Sequence, residues 1–594
     1  MRLLGSGLLT HAVIIETCAA DTWRQAGAIE RVCDTKMDAI EVCLEGAARR
    51  VQRWISRNCR GGCRQWQRTR RLERFLTMNL RTLSLTTSAE TAMLEANTRA
   101  ATTTGSPSHN LARNAFFLLA GQVASTALSV ILTAVLARWL GVVEFGTYYL
   151  LVTVSTFAYV LVDWGQSAYL IRESARRRED GGKLLGGALA FRATVAFVAA
   201  LATTTLVKVI GYESRTVFLT LLAVACGLPL ALSQTYVYLM RGRDRMDLDA
   251  TVTVTGKALT TAVTVPAIFL GGGLPAVVLM QAVGGAGGLL VALLLARKIR
   301  LKARRPGRGI LQELAIGGAP IAAFLLVMSV QPVIDAIVLS KLAPSEVVGW
   351  YGAARNIMGV LIAPASILGT ASFPELSRVS NSVPDLRRVL RATLRLLLGL
   401  GALAAVGTFL FADVAVDLIY RRGDFDPAVS VLQVFAPLLP LFFVDMCLGN
   451  AITAVGKTKE IAVVKALSTA VSTGLAILLI PLCQARMGNG GIGLVFALGS
   501  TEVLMLTAYL WLLPRGAVDR SALLDFLRAA GGAGGTVLIF WALPSMTPWL
   551  AVPACVAVFM ALALASGLVL RTDMDNVTAL VRGKLEELRF GEKR

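Results

Sequence analysis

Charged side chains lie inside several long apolar stretches of this 594-residue chain, where an isolated charge is energetically costly. Asp335 follows Gln331 by about one helical turn, so the two side chains share a helix face, and Pro332 between them frees a backbone carbonyl. A carboxylate in this setting can bind Na⁺ or a proton. Asp445 and Glu502 are further candidates for the same chemistry. For all three acids, an ion pair with a neighbouring helix is the alternative interpretation.

Arg355 is the basic residue best suited to bind an anionic group. It lies inside another apolar stretch, beside Asn356, and the sequence on its C-terminal side is apolar. A guanidinium group can hold the oxygens of a phosphate or carboxylate with two parallel hydrogen bonds. The alternative is that Arg355 extends along the helix to the nearby membrane interface and only anchors it there.

The elements that carry these residues are apolar segments of membrane-spanning length. The chain is 55% hydrophobic and only 16% charged, which is not the balance of a soluble protein. A helix crosses a bilayer core of about 30 Å with roughly 20 apolar residues. The sequence therefore predicts an all-α polytopic membrane protein with about fourteen transmembrane helices. Their approximate bounds are 113–137, 146–163, 187–207, 216–240, 250–270, 274–296, 312–339, 347–373, 391–412, 428–450, 460–482, 489–513, 523–543 and 548–570.

Basic residues concentrate in alternate connections between these segments. The formal charge of +21 could suggest a nucleic-acid partner, but short Lys and Arg clusters between apolar runs are better explained by membrane topology, so no nucleic acid is expected. The asymmetry predicts that both termini are cytoplasmic and that the number of spans is even. The basic connections are 172–183, 241–245, 297–308, 378–395, 457–459 and 515–520.

Residues 1–108 differ from the rest of the chain because they are polar and contain no span. Cys59 and Cys63 have no second pair of metal ligands nearby, so no metal site is predicted. We interpret the segment as a disordered basic cytoplasmic extension, or as translated upstream sequence with the true start at Met78 or Met93. A signal peptide is disfavoured because its apolar core would be interrupted by His11.

The second half of the membrane region repeats features of the first. The segment from Leu140 to Tyr148 corresponds to the segment from Leu342 to Tyr351. Gly242 corresponds to Gly456, and a basic sequence follows each glycine. A turn on Gly141 and Gly146 is predicted to join the first two spans. Corresponding spans have the same orientation, so the halves are predicted to be parallel six-helix bundles around a central cavity. The predicted organisation is 109–300, 301–515, helices 13 and 14 in 516–571, and a cytoplasmic tail in 572–594.

Several motifs resemble the Wzx-type oligosaccharide flippases, in the MOP superfamily that also contains the lipid II flippase and the MATE antiporters. The first half has Asn114, Gly121-Gln122, Ala137-Arg138-Trp139-Leu140-Gly141, Glu144-Phe145-Gly146, Tyr148, Asp163, Gly165 and Arg172-Glu173. The second half has Asp335, Val348-Gly349-Trp350-Tyr351-Gly352-Ala353-Ala354-Arg355 and Phe373-Pro374-Glu375-Leu376-Ser377-Arg378. The resemblance covers about 110–570.

The resemblance implies a multi-pass protein of the bacterial inner membrane. Its cargo would be an undecaprenyl-pyrophosphate-linked oligosaccharide, and its partners would be membrane lipids, a polysaccharide polymerase and glycosyltransferases. A head group with phosphates and hydroxyls needs a cavity with cations and amides, because it cannot cross hydrocarbon unsolvated. Ion coupling through Na⁺ or H⁺ would use Asp335, Asp445 and Glu502, and no other cofactor is expected. The candidate cargo-binding residues are Arg355, Asn356, Arg113, Asn114, Gln122, Gln166 and Gln331. For Arg113 and Asn114 the alternative is anchoring of the membrane topology, and for the glutamines it is packing between helices.

Rival functions make different demands on the sequence. The chain has two histidines, no phosphate-cradling glycine loop and no soluble domain between spans, so no enzymatic activity is expected. A glycan polymerase or ligase would predict a large outer loop, which the sequence lacks. A MATE-type drug or cation antiporter is the main alternative, and it would favour an acidic cavity over one that contains Arg355.

Overall fold

The computed structural model describes residues 107–421, 423–542 and 547–568, and this part of the chain is helical without strands. The 1–108 extension, with Cys59 and Cys63, falls almost entirely outside the described residues, as does the tail from 572 onward. Thirteen helical units in the described part are long and apolar enough to cross a membrane. The first unit, Phe117–Arg176, is far longer than one span. It contains the first two predicted spans, so the all-α membrane fold is confirmed.

The first half consists of seven α-helices. Helix α1 breaks at Gly141, where φ is 74° and ψ is 171°, so we divide it into a first arm, 107–140, and a second arm, 142–163. The predicted turn is therefore made by Gly141 alone, and Gly146 lies inside the second arm. The helices are α1 Pro107–Asp163, α2 Gln166–Arg176, α3 Gly181–Val209, α4 Ser214–Cys226, α5 Leu228–Arg241, α6 Met246–Phe269 and α7 Gly273–Lys298.

The second half and the C-terminal pair continue the same plan. The helices are α8 Arg308–Leu342, α9 Ser345–Val379, α10 Val383–Leu410, α11 Ala412–Tyr420, α12 Pro427–Phe435, α13 Leu439–Ala454, α14 Thr458–Met487, α15 Gly490–Leu512, α16 Arg520–Ala542 and α17 Pro548–Ala565. Helices α16 and α17 pack on α10, outside the repeated part.

The fourth span of each half is interrupted at the same place in the repeat. In the first half, α4 ends at Cys226 and α5 begins at Leu228, with Pro229 in its first turn. In the second half, a 3₁₀ turn over Ala436–Leu438, which contains Pro437, separates α12 from α13. Proline cannot donate the backbone hydrogen bond that a continuous helix requires, which explains why both spans change helical geometry there.

Helix α8 lies between the two halves. At one end Glu313 accepts a hydrogen bond from Tyr169 (2.7 Å) and pairs with Arg177 (2.9 Å), both in or next to α2. We call this end, which carries the basic connections, the basic end. At the other end Lys341 donates to the Gly211 carbonyl (2.9 Å). Because α8 also packs along α14, it joins the first half to the second over its length.

The halves meet closely at the end opposite the basic end. A Cβ atom on Gly146 would lie 2.5 Å from the Ser345 carbonyl oxygen, and one on Gly349 would lie 2.3 Å from the Val142 carbonyl oxygen. Phe145 packs against Tyr420, with ring centroids 5.9 Å apart. The second arm of α1 and the start of α9 therefore approach to backbone contact, which only residues without a side chain allow.

Candidate functional site

A cluster of five charged side chains occupies the interior of the second half. Each comes from a different helix, and the members are Asp335 of α8, Arg355 of α9, Asp445 of α13, Lys465 of α14 and Glu502 of α15. Asp335 lies within electrostatic reach of Arg355 and Lys465, and Glu502 within reach of Asp445, Lys465 and Arg355. We call these residues the second-half charge cluster. The structure thus brings together all three acids proposed for ion binding.

The charge cluster is short of hydrogen-bond partners. Asp335 is 4% exposed and Glu502 is 5% exposed, and one carboxylate oxygen of each, like one of Asp445, has no hydrogen-bond partner. Three carboxylates face two cations, so the fully ionised cluster carries one excess negative charge. Burying an uncompensated charge is costly, which favours uptake of a proton or a small cation at this place.

Arg355 lies where the second half faces the first. Ser345 is the first residue of α9, so Arg355 is about 15 Å along the axis from the end opposite the basic end. Its side chain is half-buried, and its charge interacts with the hydroxyls of Tyr149 and Tyr351. Those two rings pack edge to face across the boundary between the halves, with centroids 6.0 Å apart. Within the described residues, Arg355 makes no ion pair shorter than 4 Å.

Asn356 lines a separate cavity of about 300 Å³. The first arm of α1 contributes Thr126, Ser129 and Thr133 to the lining of this cavity, and Tyr420 lines it as well. Hydroxyl and amide groups therefore face each other across the two halves. This arrangement can form hydrogen bonds to a polar ligand held between them.

The other predicted residues have different surroundings. Gln331 is buried on the same face of α8 as Asp335. Gln122 is exposed near the basic end of α1 and donates to the Thr126 hydroxyl (3.4 Å), while Asn114 is half-buried. The side chain of Arg113 lies outside the described residues.

Gln166 belongs to a buried network inside the first half. It is fully buried, and its Oε1 atom accepts a hydrogen bond from Arg192 Nε (3.2 Å). Arg192, 2% exposed, also donates to the Ala231 carbonyl (2.6 Å) and pairs with Asp163. Its guanidinium lies 5.2 Å from the centroid of the Tyr238 ring. Gln166 thus supports a structural arginine.

A second cavity, of about 410 Å³, lies within the first half. It is lined by both arms of α1 and by α4 to α7, with Ser155, Gln234, Lys257 and Gln281 among its polar residues. No Asp or Glu occurs among the residues that line it in the described structure. The first-half cavity therefore differs from the second-half charge cluster, which contains three carboxylates.

Two family models match the chain in overlapping regions. The family described as polysaccharide biosynthesis protein matches residues 111–380, and the MatE family matches residues 320–478. Among solved structures, the lipid II flippase MurJ in an inward closed conformation aligns with a TM-score of 0.61 at 13% identity, covering 76% of this chain and 98% of that one. An inward-facing multidrug resistance MATE family transporter of the MOP superfamily aligns with a TM-score of 0.55 at 16% identity, covering 67% and 97%.

The chain shares the fold of these flippase and transporter structures. At these identities the structural likeness shows the fold of a MOP transporter, and the family resemblance seen in the sequence motifs is confirmed. The families matched are flippases and transporters. A comparison with curated proteins returns no match.

Sequence reasoning missed three cations of this chain, two at the candidate sites and one, Arg192, in the structural network of the first half. Lys257, Lys465 and Arg192 each lie well inside a helix of membrane-spanning length. A cation far from both helix ends is a functional signal in a membrane protein, because it must face a cavity or a partner there. That signal is present in the sequence for all three residues.

Proposed function

We propose that this protein is a flippase that moves a polyprenyl-pyrophosphate-linked oligosaccharide from the cytoplasmic to the outer leaflet of the bacterial inner membrane. The observation that carries the proposal is the carboxylate-free, amide- and hydroxyl-lined cavity in the first half. Such a lining suits sugar hydroxyls, whereas a cationic drug would favour acidic groups. The match of residues 111–380 to the polysaccharide biosynthesis family supports the same cargo.

The basic end is the cytoplasmic end in this proposal, following the positive-inside rule. The cargo head enters the space between the halves, while the polyprenyl tail remains in lipid, because only the head group needs solvation. In this structure the halves are in contact at the opposite end, through Gly146 and Gly349. Transport requires a second state in which that contact opens. A polymerase and glycosyltransferases would act on the same lipid-linked cargo.

Arg355 is proposed to connect cargo binding with the charge cluster. Its guanidinium lies at the boundary between the halves and within electrostatic reach of Asp335 and Glu502. A pyrophosphate that binds Arg355 competes with those carboxylates for its charge. When Arg355 turns to the cargo, the cluster becomes more negative and takes up a proton or Na⁺, which links transport to an ion gradient.

The first test measures flipping in proteoliposomes with a fluorescent undecaprenyl-pyrophosphate glycan and an impermeant quencher. Arg355→Ala should slow flipping roughly ten- to a hundredfold, because it removes a charged hydrogen-bond donor worth about 1.5–3 kcal/mol. Arg378→Ala is the matched control, since Arg378 lies near the basic end of the same helix, away from the charge cluster. The control should flip at the wild-type rate.

Two results would contradict the proposal. If wild-type protein flips no more glycolipid than empty liposomes and carries a cationic dye instead, the function is that of a MATE-type antiporter. If wild-type protein flips the glycolipid and Arg355→Ala does so equally well, the flippase function stands, but Arg355 has no part in cargo binding.

Glu502→Gln should remove the dependence of flipping on an ion gradient. The variant leaves two carboxylates facing two cations, so the cluster no longer needs an extra positive charge. In wild type, a tenfold H⁺ or Na⁺ gradient, equivalent to about 1.4 kcal/mol, should shift the final distribution of glycolipid by up to roughly tenfold. The variant should give the same distribution with and without the gradient. Asp413→Asn, at an exposed carboxylate of α11, should behave as wild type.

A further inference from the structure

Lys257 is a cation that lines the first-half cavity, and no negative charge in that lining compensates it. Eleven residues separate it from Met246, the start of α6, so it lies about 16 Å along a helix of 24 residues, close to its middle. No carboxylate of the described chain lies near enough to pair with it. An ammonium group at the centre of a bilayer is energetically costly, so it requires water or a ligand in the cavity that it faces.

The corresponding helix of the second half contains a lysine whose charge is compensated by nearby carboxylates. Lys465 lies seven residues after Thr458, the start of α14, about one turn from the place that Lys257 has in α6. Its charge interacts with Asp335, Asp445 and Glu502. The two lysines therefore have opposite electrostatic surroundings, and only Lys257 has positive charge available for an anion.

The carboxylate nearest to Lys257 along the helix already forms an ion pair with another residue. Asp249 lies two turns before it on α6, is 3% exposed, and pairs with Arg241 (2.7 Å). One Asp249 oxygen also accepts a hydrogen bond from the Thr253 hydroxyl (3.3 Å). Asp249 is thus held at the basic end and does not neutralise Lys257.

The cavity provides hydrogen-bonding groups around the ammonium. The hydroxyl of Ser155, on the second arm of α1, is buried without a hydrogen-bond partner. Gln234 and Gln281 line the same cavity from α5 and α7. Its volume of about 410 Å³ falls in the range of roughly 300–1,000 Å³ that is usual for small-molecule sites. A cation among uncharged donors is the composition of a site for an oxyanion that is attached to a hydroxylated group.

We propose that this cavity is an oxyanion site of the cargo, in which Lys257 binds an acidic group and the surrounding amides and hydroxyls bind the adjoining sugar. The inference rests on the proposed flippase function for the identity of its ligand. Two parts of such a cargo carry this chemistry: a carboxylate on an acidic sugar and the pyrophosphate that links glycan to lipid. Arg355, in the other half, is the separate candidate for the pyrophosphate, so the carboxylate of an acidic sugar is the expected ligand.

Binding is tested first, because it does not depend on transport. The probes are digalacturonate, inorganic pyrophosphate and cellobiose, each added to the purified full chain in detergent, with ligand-dependent thermal stabilisation as the readout. Wild type should be stabilised by digalacturonate, and Lys257→Met should bind it roughly ten- to a hundredfold more weakly. Lys257→Arg keeps the charge and should bind more tightly than Lys257→Met. Lys302→Met, at an exposed lysine outside the helices, is the matched control and should bind as wild type.

Flipping assays then identify the source of the oxyanion. If Lys257→Met slows a uronate-containing glycolipid and leaves a neutral one unchanged, the site holds the acidic sugar. If both are slowed equally and pyrophosphate stabilises wild type, the site holds the pyrophosphate. If wild type binds the anions through Lys257 but flips neither glycolipid, the site stands and the flippase function fails. Equal binding of all three probes by wild type and Lys257→Met, or no binding of either anion by wild type, would overturn the site.

Discussion

Replacing Gly349 by valine is expected to reduce transport by about a hundredfold. A Cβ atom at this position would lie 2.3 Å from the carbonyl oxygen of Val142, which is backbone and cannot move aside as a side chain can. Overpacking of this kind costs about 1–3 kcal/mol, and at the upper end it lowers the population of the contacting state roughly a hundredfold. The halves would then remain apart at the end opposite the basic end, and a cycle that needs this contact would stop.

The structural effect can be measured separately from transport. Spin labels at Val143 and Leu418, both exposed and on opposite halves at this end, should move apart in Gly349→Val. Gly359→Val is the control, because Gly359 lies on the same helix and a Cβ atom added there would have open space within 4 Å. Normal transport by Gly349→Val, with an unchanged label distance, would show that the glycine contact is not required.

Removal of Arg192 should have the largest effect on stability. Its three hydrogen bonds, one of which is also its ion pair with Asp163, hold α1, α2, α3 and α5 together inside the first half. Arg192→Met would leave the Asp163 carboxylate without its cation, and breaking a buried pair in this way costs about 3–5 kcal/mol. We expect a much lower yield of folded protein and a lower unfolding temperature in detergent. The unfolding can be measured as the loss of the monodisperse peak on gel filtration.

A double variant distinguishes the lost charge partner from lost packing. Asp163→Asn combined with Arg192→Met removes both charges and should recover part of the stability, because it is the unpaired carboxylate that is costly. Arg215→Met is the matched control, since Arg215 forms an exposed ion pair with Glu144 (2.7 Å) that should contribute less than about 1 kcal/mol. If Arg192→Met is no less stable than Arg215→Met, the network has no structural role.

Membrane spans could be predicted from this sequence because a run of about twenty apolar residues has few other structural solutions. The position of Gly146 could not be predicted in the same way. Its neighbour Gly141 does form the break, with φ at 74°, whereas Gly146 continues the helix and contacts Ser345. A sequence does not distinguish a glycine that makes a turn from a glycine that allows another backbone to pack closely against it. Only the packing of two distant segments distinguishes the two roles.

Side-chain networks are the less predictable part of the site. Asp335, Asp445 and Glu502 each stand out singly in the sequence, but their assembly with Lys465 depends on how four helices rotate about their axes. Gln166 illustrates the opposite case, because the sequence leaves open whether it binds a sugar or packs helices together, and the structure shows it bonded to Arg192. Composition reveals which polar groups are inside the membrane, whereas contacts between distant helices decide which of them are already satisfied.

The break at Gly141 is one of several short connections that leave few exposed loops on the face opposite the basic end. Two spans are joined there by a single non-helical residue, and α8 is followed by α9 after only Ala343 and Pro344. Antibodies, proteases and inserted epitope tags generally need an extended loop of several residues. On this face of the described structure, the longest such connection is 421–426, between α11 and α12. The described part of this face is therefore a poor target for surface recognition, and a reporter tag is best placed in that loop.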